Sequence, residues 1–452
     1  MENDKLRSTF IDLFAGCGGL SLGLAQAGLT GLFAVEKSRD AFATFEANLL
    51  DGPENIRFQW PVWLERQAHE IRKLLTSRRK QLKAMAGKID VVAGGPPCQG
   101  FSFAGRRRKN DARNTLFRKY VDLVALLRPR VVIIENVPGM RVAHGTGPAR
   151  GAASSKSRAV SYYDRLLKRL GDLGYEADGK LFVSADFGVP QLRPRLVIIG
   201  LRRDVAARIP NAIHQTFELV EASRKSMLVD LGIHSHVTAE EAISDLEAET
   251  QETVQCPDPP YPGRYQMVRY ARPRTAYQEL MHRGMATDAN MDSMRLAQHR
   301  PYVRKRYEHI LKNCRKGVGL SDLDRAELGI TKHRICPMKP NEPSPTLTTL
   351  PDDLLHYSEP RILTVRETAR LQSFPDWFVF RGQYTTGGTR RRTECPRYTQ
   401  VANAVPPLMA KAIGAGVVCL LEQLDSETRR NNRDAANRRV VRSRRSPSQV
   451  ST

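Results

Sequence analysis

Cys98 is the residue in this chain best placed to attack a substrate. It stands in residues 94–102, GGPPCQGFS, where two prolines stiffen the backbone ahead of it and present the thiol at the end of the strand-like run IDVVAGG. A thiolate attacks electron-poor carbon well and leaves again, so it suits an addition followed by an elimination. Such an addition needs an acid close by. The next apolar run, RVVIIENV, ends in Glu135 and Asn136. A carboxyl that follows four apolar residues is expected to be partly desolvated, which raises its pKa and lets it hold a proton near neutrality. Further on, QLRPR sets Gln191, Arg193 and Arg195 ahead of another run, RLVIIG. Arginines at alternate positions of an extended segment share a face, where both can bind a phosphate or a carbonyl oxygen.

A second constellation lies near the amino terminus. TFIDLFAGCGGLSLGL places a strand, a turn with Gly16, Gly18 and Gly19, and a helix start in succession. This has the form of a nucleotide-binding turn, but Ser21 occupies the place of the third glycine of the dinucleotide fingerprint, and no phosphate-gripping lysine follows. A pyrophosphate ligand is therefore disfavoured. Glu36 ends the next run, GLFAVE, where a carboxylate accepts both hydroxyls of an adenosine ribose. A glycine turn with a ribose acid and no phosphate machinery fits S-adenosylmethionine.

These residues need elements to hold them. The apolar runs STFIDLF, GLFAVE, KIDVVAGG, RVVIIENV and RLVIIG recur at βα spacing through the first 200 residues. They predict an α/β fold with a doubly wound, mostly parallel, Rossmann-like sheet, in which ligands sit beyond the carboxyl ends of the strands. Two inserts interrupt the rhythm: a basic, helical one at residues 65–87, and a Gly-, Ala- and Ser-rich one at residues 141–158 that reads as a mobile loop. From Leu201 the rhythm is lost. Basic and aromatic stretches such as YPGRYQMVRYARPRTAYQ then predict a second, smaller domain over residues 201–397. Residues 398–424, a loop and an apolar helix, are expected to complete the first domain, residues 1–200. Residues 425–452, rich in Arg and Ser, are expected to be a disordered tail able to touch phosphates.

Composition narrows the partners. The 452 residues carry 71 basic and 48 acidic side chains, a formal charge of +23, which points to a polyanion such as nucleic acid. The seven cysteines are scattered without a CxxC pair, so neither a zinc site nor a disulfide framework is expected, and no metal is assigned. With no run of 18 apolar residues and no signal-like amino terminus, the expected setting is cytoplasmic, away from membranes.

Taken in order, DLFAGCGGLSLGL, Glu36, GGPPCQGFS, ENV, QLRPR, LTVRETARLQSFPDWF and YTQVANAVPP closely resemble the motif set of the DNA cytosine-5 methyltransferase family, across most of residues 9–200 and 345–415. The resemblance implies a monomeric enzyme acting on double-stranded DNA, which swings a cytosine out of the duplex. It implies Cys98 as nucleophile toward carbon 6, Glu135 at ring nitrogen 3 and the exocyclic amine, and Arg195 at the base oxygen. Phe14, Gly16, Gly18, Leu20, Glu36, Pro96, Asn403 and Val405 would then line the cofactor site, with Gly19 in the same turn. The region after Leu201 stands where the family reads its target sequence, and PSPTLTT, residues 343–349, resembles the end of that region. An RNA cytosine-5 methyltransferase and a catalytically silent DNA-binding protein are the alternatives. The first conflicts with the length of the recognition region, the second with the full set of chemical residues. Three departures from the family are visible. Gln59 and Trp60 stand near the usual adenine-contacting acid, Ala402 replaces a glycine, and residues 65–87 are inserted.

Overall fold

The computed structural model describes residues 8–97, 114–142, 161–259, 261–332, 334–387, 390 and 393–444. Its centre is a six-stranded sheet built from β1 (Thr9–Leu13), β2 (Thr30–Val35), β3 (Val91–Gly94), β4 (Val131–Asn136), β5 (Tyr175–Val183) and, after the short β6 (Gln191–Leu192), β7 (Pro194–Arg202). The order is β2-β1-β3-β4-β7-β5. The first four strands pair in parallel, whereas β7 runs antiparallel to both β4 and β5. Five strands thus share one direction and β7 alone is reversed, so the expected mostly parallel α/β sheet is present.

Both faces of this sheet are covered, which explains the unbroken apolar runs. Side chains alternate between two cores, as period-2 geometry requires. Val91, Ala93, Val131, Ile133, Val197 and Ile199 enter one core. Val92, Val132, Ile134, Leu196 and Ile198 enter the other. The first face is packed by the helices Gly19–Gln26, Ala212–Asp230 and Pro407–Arg444, which approach closely because small residues line their contacts. A Cβ on Gly23 would lie 2.4 Å from the Cβ of Ala410, and one on Gly416 would lie 2.7 Å from the Cα of Val220. The second face takes the helices Asn114–Leu127 and Tyr162–Asp172. The insert at residues 65–87 is helical as expected, over Ile71–Ser77 and Arg79–Ala84, and buries Ile71, Leu74, Leu75 and Leu82 in this same core.

Several expectations need adjustment. The helix Ala212–Asp230 buries Phe217, Val220 and Met227 in the first core, so the domain boundary drawn at residue 201 falls inside the α/β layers. The tail expected to be disordered from residue 425 continues the C-terminal helix to Arg444. A helix already nucleated by a packed segment extends at little further cost, even through residues with no apolar period. The apolar stretch within Arg397–Thr428 is long enough to span a bilayer but is 72% buried in the protein, as a core helix is. Most of the insert at residues 141–158 lies outside the described residues. Beyond Asp230, smaller cores form around Cys256, Met267 and Tyr270 and around Tyr307, Ile310 and Ile335.

Candidate active site

The reversal of β7 is what assembles the site. Strands β1, β2, β3 and β4 all deliver their carboxyl ends to one edge of the sheet, and β7 brings its amino end to the same edge, with Asn136 opposite Leu196 and Glu135 opposite Val197. Arg195 therefore arrives beside the end of β4. Its Nε lies 2.7 Å from Glu135 Oε1, with the two side chains only 11% and 13% exposed. The carboxyl expected to be partly desolvated is thus a paired one, and the pairing holds both groups in fixed orientation. Gly95 lies against the same carboxylate: a Cβ there would be 3.3 Å from Glu135 Oε2. Asn136 donates from Nδ2 to the carbonyl of the buried Pro96 at 3.2 Å and accepts from the amide of Val137 at 2.8 Å. The strand that bears Glu135 is thereby tied to the proline pair that leads into Cys98. Cys98 itself lies outside the described residues.

At the same edge, β1 leads into a turn that is conformationally unusual. Phe14, Gly16 and Gly18 have φ of 62°, 57° and 98°. A phenylalanine in the left-handed region is rare and strained, and such residues gather at ligand sites. Gly18 precedes the helix Gly19–Gln26, whose first amides receive no side-chain cap. Space opens above Gly16, where a Cβ would meet no atom within 4 Å. Glu36 follows β2 directly, accepting from Gly16 N through Oε2 at 3.0 Å and from Ser38 N through Oε1 at 2.7 Å. Burial raises its pKa, against the lowering effect of these two amides. Each carboxylate oxygen keeps a lone pair for one more donor, which is what paired ribose hydroxyls require.

The far wall comes from the C-terminal part of the chain. Asn403 ends the helix Arg397–Asn403 and is exposed, while Val405 is 7% exposed, with its carbonyl so near the helix start that a Cβ on Gly19 would be 2.4 Å from it. Ala402 lies in regular helix, so its replacement of a glycine needs no left-handed backbone. Leu20 sits in the core beneath the turn. Where the sequence has Gln59 and Trp60, Gln59 N donates to the carbonyl of Gly31 at 2.7 Å and Trp60 donates from Nε1 to the carbonyl of Leu64 at 2.8 Å.

Two expected site residues are not at the reacting edge. Gln191 is fully buried and donates to the carbonyl of Leu371 at 3.1 Å and to Gln372 Oε1. Arg193, 3% exposed, donates to the carbonyls of Ala402 at 2.8 Å and Ala404 at 3.3 Å. The alternate-position reasoning fails because Arg193 falls at the break between β6 and β7, where the chain changes pairing partners. Neither side chain is free for a phosphate or a base.

The sequence reading also missed Asp12, which is fully buried on β1. It accepts from the Ser21 hydroxyl at 2.7 Å, while its Oδ1 has no partner. Burial pushes its carboxyl up to about 7, against the lowering effect of that hydrogen bond. An acid amid an apolar strand, nine residues before a serine in the place of a glycine, was the available signal. Among the other thiols, burial pushes those of Cys17, Cys256, Cys314, Cys336 and Cys395 up, so none of these five is prepared as a thiolate. Among the described residues no group of three or more His, Cys, Asp or Glu could hold a metal ion.

Residues 8–419 match the family model of the C-5 cytosine-specific DNA methylases. The chain belongs to this family and is a DNA cytosine-5 methyltransferase. It is 30% identical to the type II methyltransferase M.DdeI of Desulfomicrobium norvegicum, over 92% of this chain and 89% of that one. It is likewise 30% identical to M1.HphI of Haemophilus parahaemolyticus, over 91% and 86%. In fold it resembles the crystal structure of a DNA modification methyltransferase encoded within an E. coli prophage, with a TM-score of 0.60 and 24% identity over 92% and 99% of the two chains.

Proposed function

We propose that this methyltransferase takes its methyl group from S-adenosylmethionine and places it on carbon 5 of a cytosine extruded from a specific sequence in duplex DNA, through a covalent adduct between Cys98 and carbon 6. The observation that carries this reading is the Glu135–Arg195 pair, set at the edge where Pro96 and Pro97 lead into Cys98 and where Glu36 and the Gly16 turn make room for a nucleoside. The cofactor fits the residues present: an open left-handed glycine, uncapped helix amides, and a carboxylate with acceptor capacity to spare. It would lie over Phe14, Gly16 and Gly18, with its ribose at Glu36 and Pro96, Asn403 and Val405 around it. When bound, it supplies an electrophilic methyl group on a sulfonium.

The chain's own residues do the rest. Cytosine carbon 5 is too weak a nucleophile for direct methylation, so the Cys98 thiolate adds to carbon 6 and pushes electron density toward carbon 5. The Glu135 carboxyl accepts a hydrogen bond from the exocyclic amine and, in its protonated form, donates one to nitrogen 3 as negative charge builds there. Arg195, held by that same carboxylate, donates to the base oxygen. After transfer the carbon 5 proton leaves to a base, the electron pair returns to the ring, and thiolate departs. The region beyond Asp230 presents exposed Arg269, Arg304 and Tyr302, and with the chain's charge of +23 it suits phosphate clamping and base reading. A role in protecting host DNA within a restriction-modification system fits the type II relatives.

The test is to incubate the protein with labelled S-adenosylmethionine and bacteriophage λ DNA and to map modified cytosines by bisulfite sequencing. Cys98→Ser should abolish turnover, and duplexes carrying 5-fluorocytosine at the mapped position should trap the wild type covalently. Normal turnover by the serine variant, or no adduct, refutes the mechanism.

A further inference from the structure

The insert at residues 65–87 takes no part in the chemistry above, yet it is firmly packed and strongly basic. Residues 65–88 hold eight lysines and arginines against two glutamates. The helices Ile71–Ser77 and Arg79–Ala84 turn Ile71, Leu74, Leu75 and Leu82 into the second core. The basic residues recur on the other side at helical spacing, Arg72 and Lys73, then Arg79 and Lys80, then Lys83, and all five are exposed. Arg66 is paired with Asp51 and Arg78 with Glu65. Lys73, Arg79, Lys80 and Lys83 form no ion pair among the described residues. Solvated surfaces ordinarily intersperse the two signs. Here Lys83 stands one turn beyond both Arg79 and Lys80, where like charges repel and weaken a helix. A stripe kept against that repulsion suits a partner that brings negative charge.

The stripe opens on the reacting edge. His69 N donates to the carbonyl of Glu36 at 2.7 Å, which sets the start of the first helix beside the end of β2. At the far end Gly87 N donates to the carbonyl of Leu127 at 2.8 Å, close to where β3 and β4 begin. Residues 71–84 therefore run from the reacting edge toward the opposite one, over roughly 20 Å. Sideways, β2 is three strand spacings from β4, which carries Glu135. That is about 14 Å, or about four base pairs of duplex. A duplex whose extruded base reaches the Glu135–Arg195 pair thus brings its flanking backbone near Lys73 when it extends toward β2. We propose that the insert is a phosphate track: Lys73, Arg79, Lys80 and Lys83 grip the sugar-phosphate backbone of the duplex that flanks the target, without reading its bases. The partner is that backbone and not an acidic protein, because the stripe opens on the edge that takes the base and its repeated point charges match phosphates repeated along a duplex.

This inference rests on the proposed action on duplex DNA. The test is equilibrium binding to a duplex of about 40 base pairs, with and without the sequence that bisulfite mapping identifies, from about 50 to about 200 mM salt. A variant carrying Lys73→Gln, Arg79→Gln, Lys80→Gln and Lys83→Gln should keep its helices, since glutamine is a comparable helix former and the like charges are gone. Each lost phosphate contact lowers the slope of log affinity against log salt by about 0.9, so the slope should become shallower by about 2 or more. Affinity near physiological salt should fall about tenfold or more, by the same factor on both duplexes. In steady state the KM for DNA should rise to match, while kcat at saturating DNA stays within about twofold and the methylated sequence is unchanged. Lys80→Glu with Lys83→Glu should act in the same direction and covers the case in which the first variant does not fold. Lys168→Gln with Arg169→Gln is the control. These exposed residues end the helix Tyr162–Asp172, which leads into the start of β5 at the opposite edge, and the slope should not change. Folded insert variants that keep the wild-type slope and affinity overturn the inference, as does a loss confined to the target duplex or a lowered kcat with an unchanged slope. The methyltransferase reading survives each of these results. A wild type that binds no duplex DNA would instead strike that reading itself.

Discussion

The contact between Gly19 and the carbonyl of Val405 makes a sharp prediction for Gly19→Ala. A Cβ at this position would lie 2.4 Å from Val405 O and 3.2 Å from both the Cβ of Ala404 and a ring carbon of Phe374. The carbonyl must retreat by about 0.6 Å to reach even 3.0 Å, and it can do so only by moving the turn that Gln372 and Arg193 hold. Alanine gains about 1 kcal/mol of helix propensity over glycine, and overpacking costs about 1–3 kcal/mol, so overall stability should change by no more than about 2 kcal/mol. The site should suffer far more, since a displacement approaching 1 Å can cost about 100-fold in rate. Calorimetry with S-adenosylhomocysteine and single-turnover methylation should show weakened binding and slowed transfer in a protein that melts close to the wild type. Gly171→Ala is the control: that glycine lies in the helix Tyr162–Asp172 with nothing within 4 Å of an added Cβ, and its replacement should leave both measurements unchanged. Wild-type affinity and rate in folded Gly19→Ala would show that residues 402–405 do not form the cofactor wall.

Asp12→Asn tests the buried acid. With a folded-state pKa raised to about 7 from 3.8, the native state binds a proton that the unfolded state has lost, so stability is greatest below about pH 4 and declines as pH rises to about 7. The total is on the order of 4 kcal/mol, and the asparagine variant should lack this slope in urea unfolding measured from pH 5 to 8; parallel curves for the two proteins would refute the assignment. Arg370→Met tests the buried ion cluster of Arg370, Asp245 and Asp376. Arg370 donates to Asp376 through two bonds of 2.9 and 2.8 Å and also pairs with Asp245, all three side chains being fully shielded. Although burial alone would raise Asp376, Arg370 and the His282 hydrogen bond hold it down at about 2. Removing the guanidinium strands two carboxylates and should cost about 3–5 kcal/mol, read as a lowered urea midpoint; an unchanged midpoint would show that the cluster relaxes or hydrates freely.

The legible parts of this protein were those whose physics is local. Strands β1 to β4 and β7 announced themselves because both faces are buried, leaving near-continuous apolar runs. The strand β5, Tyr175–Val183, gave no such signal: it is an edge strand with Glu176, Asp178, Lys180 and Leu181 turned toward solvent and Gly179 at its middle. Glu36 could be placed from its distance behind the glycine turn, since both ends of a βα unit are fixed by the sheet. Gln191 and Arg193 could not, because their partners at residues 371–372 and 402–404 lie 180 to 211 positions further along the chain. The block LTVRETARLQSFPDWF looks like an exposed charged helix in isolation. Its Arg366, Glu367, Arg370 and Gln372 are instead fully buried, Arg370 against the distant Asp245, Gln372 against the carbonyls of Val401 and Ala404, Glu367 against Arg361, and Arg366 against the carbonyls of Pro375 and Phe378 at the block's own end. Spacing within the block carries no hint of that inversion.

The reversed strand joins these observations. Were β7 parallel to its neighbours, its first residues would stand at the opposite edge of the sheet, and a strand of nine residues spans roughly 30 Å. Arg195 would then be out of reach of Glu135, and the ion pair between them would not exist. Reversal also sets β6 and the residue between the two strands behind that pair, so Gln191 and Arg193 lie where the sheet edge, the segment at residues 344–347 and the turn at residues 402–404 meet. The same five residues, QLRPR, thus bring Arg195 to Glu135 and Arg193 to the turn at residues 402–404. A change that shifts the register of β7 against β4 by one residue would turn Arg195 to the opposite face of the sheet, away from Glu135. The motif therefore sets one arginine beside a carboxylate and the other inside a buried turn, and is not a row of interchangeable cations.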